Sequence, residues 1–271
     1  MTIDNSAVPD YLQALRLDGS GFVVLGAGQG IGRQAAHALA QAGADLVLVD
    51  RDRDRADRVA AEVGGTAVAA DVTGRAGMDA VFEAVAARQG DRFAGLVDII
   101  GMADNQPIAE ASDEVWDWHF DIGLRHAWLA IQAAATALGD RGGSLVFVGS
   151  MSGTMSIPKQ GIYGAAKAAL HHLVACAAVE LGPRNIRVNA VAPGFVRTPR
   201  LVAALSDDYW SAVGQAIPLG RPAEPAEIAK AILFLASDLS GCSSGAVLAV
   251  DGALTRKVAV PPIPVSGPMV Q

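Results

Sequence analysis

The feature that most limits how this chain can fold is an alternation of short, β-rich apolar runs with longer helix-like stretches. The runs are GFVVLG (21–26), DLVLVD (45–50), TAVAADV (66–72), GLVDIIG (95–101), SLVFVGS (144–150), IRVNAVAP (186–193) and AVLAVDG (246–252). Strands alternating with helices build a parallel sheet covered on both faces. Near-continuous apolar runs fit that burial, because strands covered on both sides have no polar face. The pattern predicts an α/β fold: one doubly wound Rossmann-type domain with about seven parallel strands, over residues 17–257. A polar extension (1–16) precedes it, and a tail with four prolines (258–271) follows, as a free end or as an arm on a neighbouring subunit. Longer helices are predicted near 77–88, from Ser112 to about Leu138, from about Tyr163 to Leu181 and near 225–236.

Composition narrows the function classes. A chain of 271 residues that is 51% hydrophobic and 18% charged can bury a large core. Its formal charge of −7 argues against nucleic acid or an anionic membrane surface as the main partner. No uninterrupted apolar run of about 18 residues is present to span a bilayer. The N-terminus lacks the basic start and apolar run of a secretory signal. Cys176 and Cys242 form neither a disulfide framework nor a zinc set, so a reducing, cytoplasmic setting is expected.

Between the first run and the first helix lies GAGQGIG (26–32). Gly26, Gly28, Gly30 and Gly32, with Gln29 and Ile31 between them, let the backbone approach a pyrophosphate. The helix start behind them offers free N–H groups. Asp50 ends the second run 18 residues after Gly32. A carboxylate there can accept both adenosine ribose hydroxyls and repel a 2′-phosphate, which favours NAD over NADP. Arg51 pulls the other way, since a guanidinium can hold that phosphate, but position 29 carries no basic residue.

Tyr163 and Lys167 stand four residues apart, on one helical face. A phenol titrates near pH ~10, too high for a base at neutral pH, and a neighbouring ammonium favours the phenolate. Ser150 ends a central strand run, where ligands sit in open α/β sheets. Its hydroxyl is placed to hold a substrate oxygen.

With GAGQGIG, Asp71-Val72, Ser150, Tyr163/Lys167, Pro193-Gly194 and Thr198 in this order, the chain resembles the short-chain dehydrogenase/reductase family from about Leu17 to Gly252. The resemblance implies that Ser150 polarises the substrate oxygen and Tyr163 is the general acid/base. It also implies that Lys167 binds the nicotinamide ribose and lowers the tyrosine pKa. Asp71 and Val72 would flank the adenine, and Thr198 would hold the carboxamide, with a backbone contact from Val196. A homotetramer or homodimer is implied, built through the long helices. The segment 200–221 is implied to be a lid, where Leu201, Val202, Leu205, Tyr209 and Trp210 suggest an apolar or cyclic substrate.

The chain departs from the family at three places. Asp98-Ile99-Ile100-Gly101 stands where the family has Asn-Asn-Ala-Gly, so only Gly101 matches. Gly123 stands where the family has a catalytic Asn, seven residues after Trp116, and its carbonyl can replace that amide only if the helix is locally distorted. Leu25 replaces a Thr before the glycine turn. No metal is expected, because His119 points away from the face shared by Asp117 and Asp121. His171 and His172 are expected to pack in the core or an interface. Together these observations predict an NAD-dependent oxidoreductase for a small-molecule secondary alcohol or ketone. The alternatives are an NADPH-dependent 3-oxoacyl thioester reductase and a dinucleotide-binding protein with little catalysis.

Overall fold

The computed structural model describes residues 7–257. The proline-rich tail predicted over 258–271 lies outside the described residues. Seven parallel strands form one sheet in the order β3-β2-β1-β4-β5-β6-β7: β1 Gly21–Leu25, β2 Asp45–Asp50, β3 Thr66–Ala69, β4 Phe93–Asp98, β5 Gly143–Val148, β6 Ile186–Pro193 and β7 Val247–Val250. The nine α-helices among the described residues are α1 Gly30–Gln41, α2 Arg53–Val63, α3 Arg75–Arg88, α4 Asp113–Phe120, α5 His126–Leu138, α6 Gly161–Leu181, α7 Pro199–Ala204, α8 Asp207–Ala216 and α9 Pro225–Ala236.

Side chains alternate across each strand, so one sheet supplies two cores. Val23, Leu25, Val47, Val49, Leu145 and Phe147 face α3, α5 and α6. Phe22, Val24, Leu46, Leu48, Val146 and Val148 face α1, α2 and α9. β1 carries no polar side chain and all five of its residues are buried. The strand order reverses between β1 and β4, and an open α/β sheet binds ligands in the crevice beyond its strand ends at such a point.

Two details differ from the sequence expectation. The fourth strand begins at Phe93 and ends at Asp98, so Ile99, Ile100 and Gly101 lie beyond it, in the crevice. The long helix runs Asp113–Leu138 but is broken by a π-helical turn at Asp121–Arg125. There the His126 N–H donates to the Asp121 carbonyl, five residues back. Ser112 occupies the N-cap position in extended conformation, yet its side chain caps no backbone N–H.

By length and composition alone, Gly161–Arg184 is apolar enough to cross a membrane. In the fold it is a core helix: Gly164, Lys167, Leu170, His171 and Val174 are buried.

Candidate active site

The glycine turn packs too tightly for side chains. A Cβ on Gly32 would collide with the Gly26 carbonyl, and one on Gly28 would collide with the Asp50 carboxylate. The Gly28 N–H donates to Asp50 Oδ2 at 3.0 Å, and the Asp52 N–H donates to Asp50 Oδ1 at 3.0 Å. Asp50 therefore fixes the end of β2 against the turn. Helix α1 starts inside the turn at Gly30, with Ile31 partly buried behind it. Its N-cap, Gln29, makes no side-chain cap, so the first N–H groups face the crevice with no side chain on them. An open amide row above a cradle without Cβ atoms fits a dinucleotide pyrophosphate.

The remaining cofactor candidates ring this turn. Asp71 Oδ1 accepts the Thr73 N–H at 3.0 Å and the Thr73 hydroxyl at 2.7 Å, which hold its carboxyl below the usual range. The charge of Arg51 acts on Asp71 in the same direction. Val72 beside it is buried in the core. Pro193 ends β6, and the Gly194 N–H bonds the Val250 carbonyl at 3.1 Å. Val196 is buried and bridges Ala223. Thr198 caps α7 by accepting the Leu201 N–H at 3.4 Å, and its side chain lies close to Gly30.

The catalytic candidates meet at the ends of β4 and β5. Ser150 is buried, and its Oγ accepts the Ser152 N–H at 3.1 Å. Burial pushes the Tyr163 phenol above its ordinary range, and the Ser150 hydroxyl pulls it back. Lys167, also buried, donates to the Val148 carbonyl at 2.9 Å and the Ile100 carbonyl at 3.3 Å. A Cβ on Gly101 would sit 2.7 Å from Lys167 Nζ, so the glycine makes room for the ammonium. The resemblance gives Lys167 the task of lowering the tyrosine pKa. In this structure two carbonyls hold the ammonium, and Ser150 is the group opposing Tyr163 burial.

His171 completes this site, and the sequence reading placed it only in packing. Its Nε2 accepts the Ser150 N–H at 3.4 Å, and its ring fills the space against Gly149 and Gly153. Burial, helped by the Lys167 charge, pulls His171 down to about 4, so it accepts as a neutral ring. Positions 163, 167 and 171 are spaced by four on one helix, which is the sequence signal that marks it. His119 backs Tyr163 with ring centroids 6.2 Å apart and accepts the Asp104 N–H at 3.1 Å.

Gly123 is buried inside the π turn, so the local distortion anticipated there is present. On the lid side, Trp210 packs with Val213 and Ile217, and Phe195, Leu201 and Leu205 close around them. Arg197 lies over the Trp210 ring at 5.1 Å. Three of the apolar residues read as pocket lining thus pack on one another, leaving Val202 and Tyr209 exposed.

Comparison with known proteins bears on the family and the fold. Residues 26–255 match a family model described as enoyl-(acyl carrier protein) reductase. The chain is 38% identical to a galactitol 2-dehydrogenase (L-tagatose-forming) from Cereibacter sphaeroides, over 91% of this chain and 99% of that protein. Among solved structures it is similar to a short-chain type dehydrogenase/reductase from Mycobacterium marinum, at 35% identity and a TM-score of 0.83, covering 90% and 98% of the two chains. It is also similar to a 7α-hydroxysteroid dehydrogenase complexed with NADH and 7-oxo glycochenodeoxycholic acid, at 30% identity and a TM-score of 0.84, covering 89% and 96%.

Proposed function

This chain belongs to the short-chain dehydrogenase/reductase family and is an oxidoreductase acting on CH–OH groups; we propose that it uses NAD rather than NADP. The observation that carries this choice is the Asp50 carboxylate, locked at the end of β2 by the Gly28 and Asp52 amides. A fixed negative charge there accepts ribose hydroxyls and repels a 2′-phosphate. Arg51, the residue that would favour NADP, has Asp71 as its charge neighbour.

Hydride exchange at a carbon is what the nicotinamide supplies when bound. Gly26, Gly28, Gly30 and Gly32 would take the pyrophosphate, Asp50 the adenosine ribose, and Lys167 the nicotinamide ribose. Asp71 and Val72 would flank the adenine, and Val196 and Thr198 would hold the carboxamide end. Ser150 holds the substrate oxygen, and Tyr163 gives or takes its proton. In the family's scheme the Lys167 charge also favours the phenolate, beside the Ser150 hydroxyl that opposes Tyr163 burial here.

For the substrate we place first a secondary alcohol, or its ketone, that carries neighbouring hydroxyls. Beside Ser150, the Ser152 hydroxyl donates to Gln160 Oε1 at 2.7 Å, a polar pair suited to such groups. The galactitol 2-dehydrogenase relative supports this class. An apolar or cyclic substrate loses part of its basis with Leu201, Leu205 and Trp210 engaged in the lid.

A dimer or tetramer is proposed with it. Trp116, Trp128 and Val179 on α4, α5 and α6 are exposed, as are Phe234 on α9 and Val247 and Leu248 on β7. Light scattering after gel filtration tests this, and a monomer removes it. Cys176 and Cys242 are both free, which suits a reducing cytoplasm.

The deciding assay is absorbance at 340 nm with NAD or NADP and a panel of polyols and cyclic secondary alcohols. Turnover with NAD well above NADP, lost in Tyr163→Phe, supports the reading. Preference for NADP overturns it.

A further inference from the structure

Asp98 ends β4 at 2% exposure, so its carboxylate lies in the interior. Its Oδ1 accepts the Ile100 N–H at 2.9 Å, which turns the chain just beyond the strand. The carbonyl of that same Ile100 accepts the Lys167 ammonium. Asp98 Oδ2 lies 2.8 Å from Nε2 of His126, which is fully buried and follows the π turn directly. The two atoms are close without the alignment of a hydrogen bond. A carboxylate is tolerated in a protein interior only with compensation by hydrogen bonds or opposite charge. The Ile100 N–H, His126 and Lys167 are that compensation.

We propose that Asp98, held in place by His126, is a positioning residue for the catalytic lysine. It fixes the N–H side of Ile100, the residue whose carbonyl on the next peptide receives the Lys167 ammonium, and it supplies the buried counter-charge that keeps Lys167 protonated. The titratable groups facing Lys167 are Asp98 from β4 and Tyr163 and His171 from α6; His126 faces Asp98 from the start of α5. Tyr163 is held as a phenol and His171 as a neutral ring, which leaves Asp98 as the negative charge among them. Burial pulls Lys167 down to about 8, and the Asp98 charge holds it up against that pull. This arrangement occupies one of the three places where the chain departs from its family, at 98–101, and adjoins a second, since His126 follows the π turn that holds Gly123. The inference rests on Lys167 serving the family reaction, but its test needs no substrate, so a failed search for alcohols leaves it intact.

The chain has four lysines, at 159, 167, 230 and 257, so lysine labelled with ¹³C at Cε gives a readable NMR titration. Lys167→Arg assigns the Lys167 signal. Asp98→Asn keeps the side-chain volume and an oxygen for the Ile100 N–H while removing the charge. We expect it to lower the Lys167 midpoint by about one pH unit or more. His126→Phe, which strips Asp98 Oδ2 of its neighbour, shifts the midpoint the same way. A purely structural Asp98 leaves the Asp98→Asn midpoint at its wild-type value, and that result overturns the proposal. Should circular dichroism show Asp98→Asn unfolded, His126→Phe carries the test, and an unchanged midpoint there overturns it equally.

Discussion

Gly123 faces Ala166 where the π turn packs on the catalytic helix: a Cβ placed on Gly123 would lie 3.0 Å from the Cβ of Ala166. Ala166 immediately precedes Lys167, so the packing of position 123 is transmitted to the reactive face of α6. Two opposing effects act there. Alanine improves on glycine in a helix by up to ~1 kcal/mol, and its methyl at this spacing asks Ala166 to give by a few tenths of an ångström.

Gly123→Ala is therefore expected to change unfolding free energy by less than ~1 kcal/mol. Gly123→Leu overpacks the contact and is expected to cost about 1–3 kcal/mol. Urea denaturation measures both. Equal stability for Leu and Ala would show that α6 is not packed against the turn.

Tyr163→Phe should lower turnover by about 10²–10⁴-fold while leaving dinucleotide binding nearly intact, as read by quenching of tryptophan fluorescence. The pH dependence has a sign. Alcohol oxidation starts from the phenolate, and burial pushes the phenol up, so oxidation rates should climb from neutral into alkaline pH. Carbonyl reduction starts from the phenol and should stay flat until alkaline pH. An oxidation profile flat from pH 6 to 10 would exclude Tyr163 as the titrating base.

His171→Ala leaves the buried Ser150 N–H without its acceptor, an expected loss of about 1–3 kcal/mol. The same residue makes stability depend on pH. Its folded value is about 4, against 6.5 without the fold. Between those values the unfolded chain binds a proton that the native state refuses. Stability is therefore complete above about 6.5 and falls as the pH drops toward 4, with a slope approaching one proton. Denaturation midpoints followed across this window should show less slope in His171→Asn than in the wild type.

Asp50→Ser removes the charge that repels a 2′-phosphate and also releases the Gly28 amide. The ratio of kcat/KM with NADP to that with NAD should rise about tenfold or more, an effect of ~1.4 kcal/mol. Steady-state rates with both cofactors on one alcohol give the answer, and an unchanged ratio would assign cofactor choice to residues other than Asp50.

The groups that share a local spacing were legible in the sequence. The glycine turn, Asp50, Ser150 and the Tyr163/Lys167 pair each sit at a strand end or on one helical face, and the structure puts them there. Burial of the strands was legible for the same reason, since an uninterrupted apolar run has no polar side to expose. What escaped arises from packing between distant segments. Asp98 and His126 are 28 residues apart and meet only when α5 lies on the sheet. His171 reaches Ser150 because α6 packs against β6 and the turn at Met151–Gly153 that follows β5. The lid residues Leu201, Leu205 and Trp210 look the same in sequence whether they contact substrate or each other, and only their mutual burial separates the two cases.

The π turn at Asp121–Arg125 has one more consequence, for what this helix can gain or lose in length. A single π turn holds one residue more than the α-helical turn it replaces. Each α-helical residue turns the chain through ~100°, so an extra residue in regular helix would rotate everything after it. Here the wide turn takes up that residue, and α4 and α5 keep their phase on either side. Removing Ile122 should close the bulge into regular helix with His126 still facing Asp98, whereas removing Ala130 should swing the rest of α5 off its core face. The turn is the one place along Asp113–Leu138 where the chain length can change by a residue while both ends keep their partners.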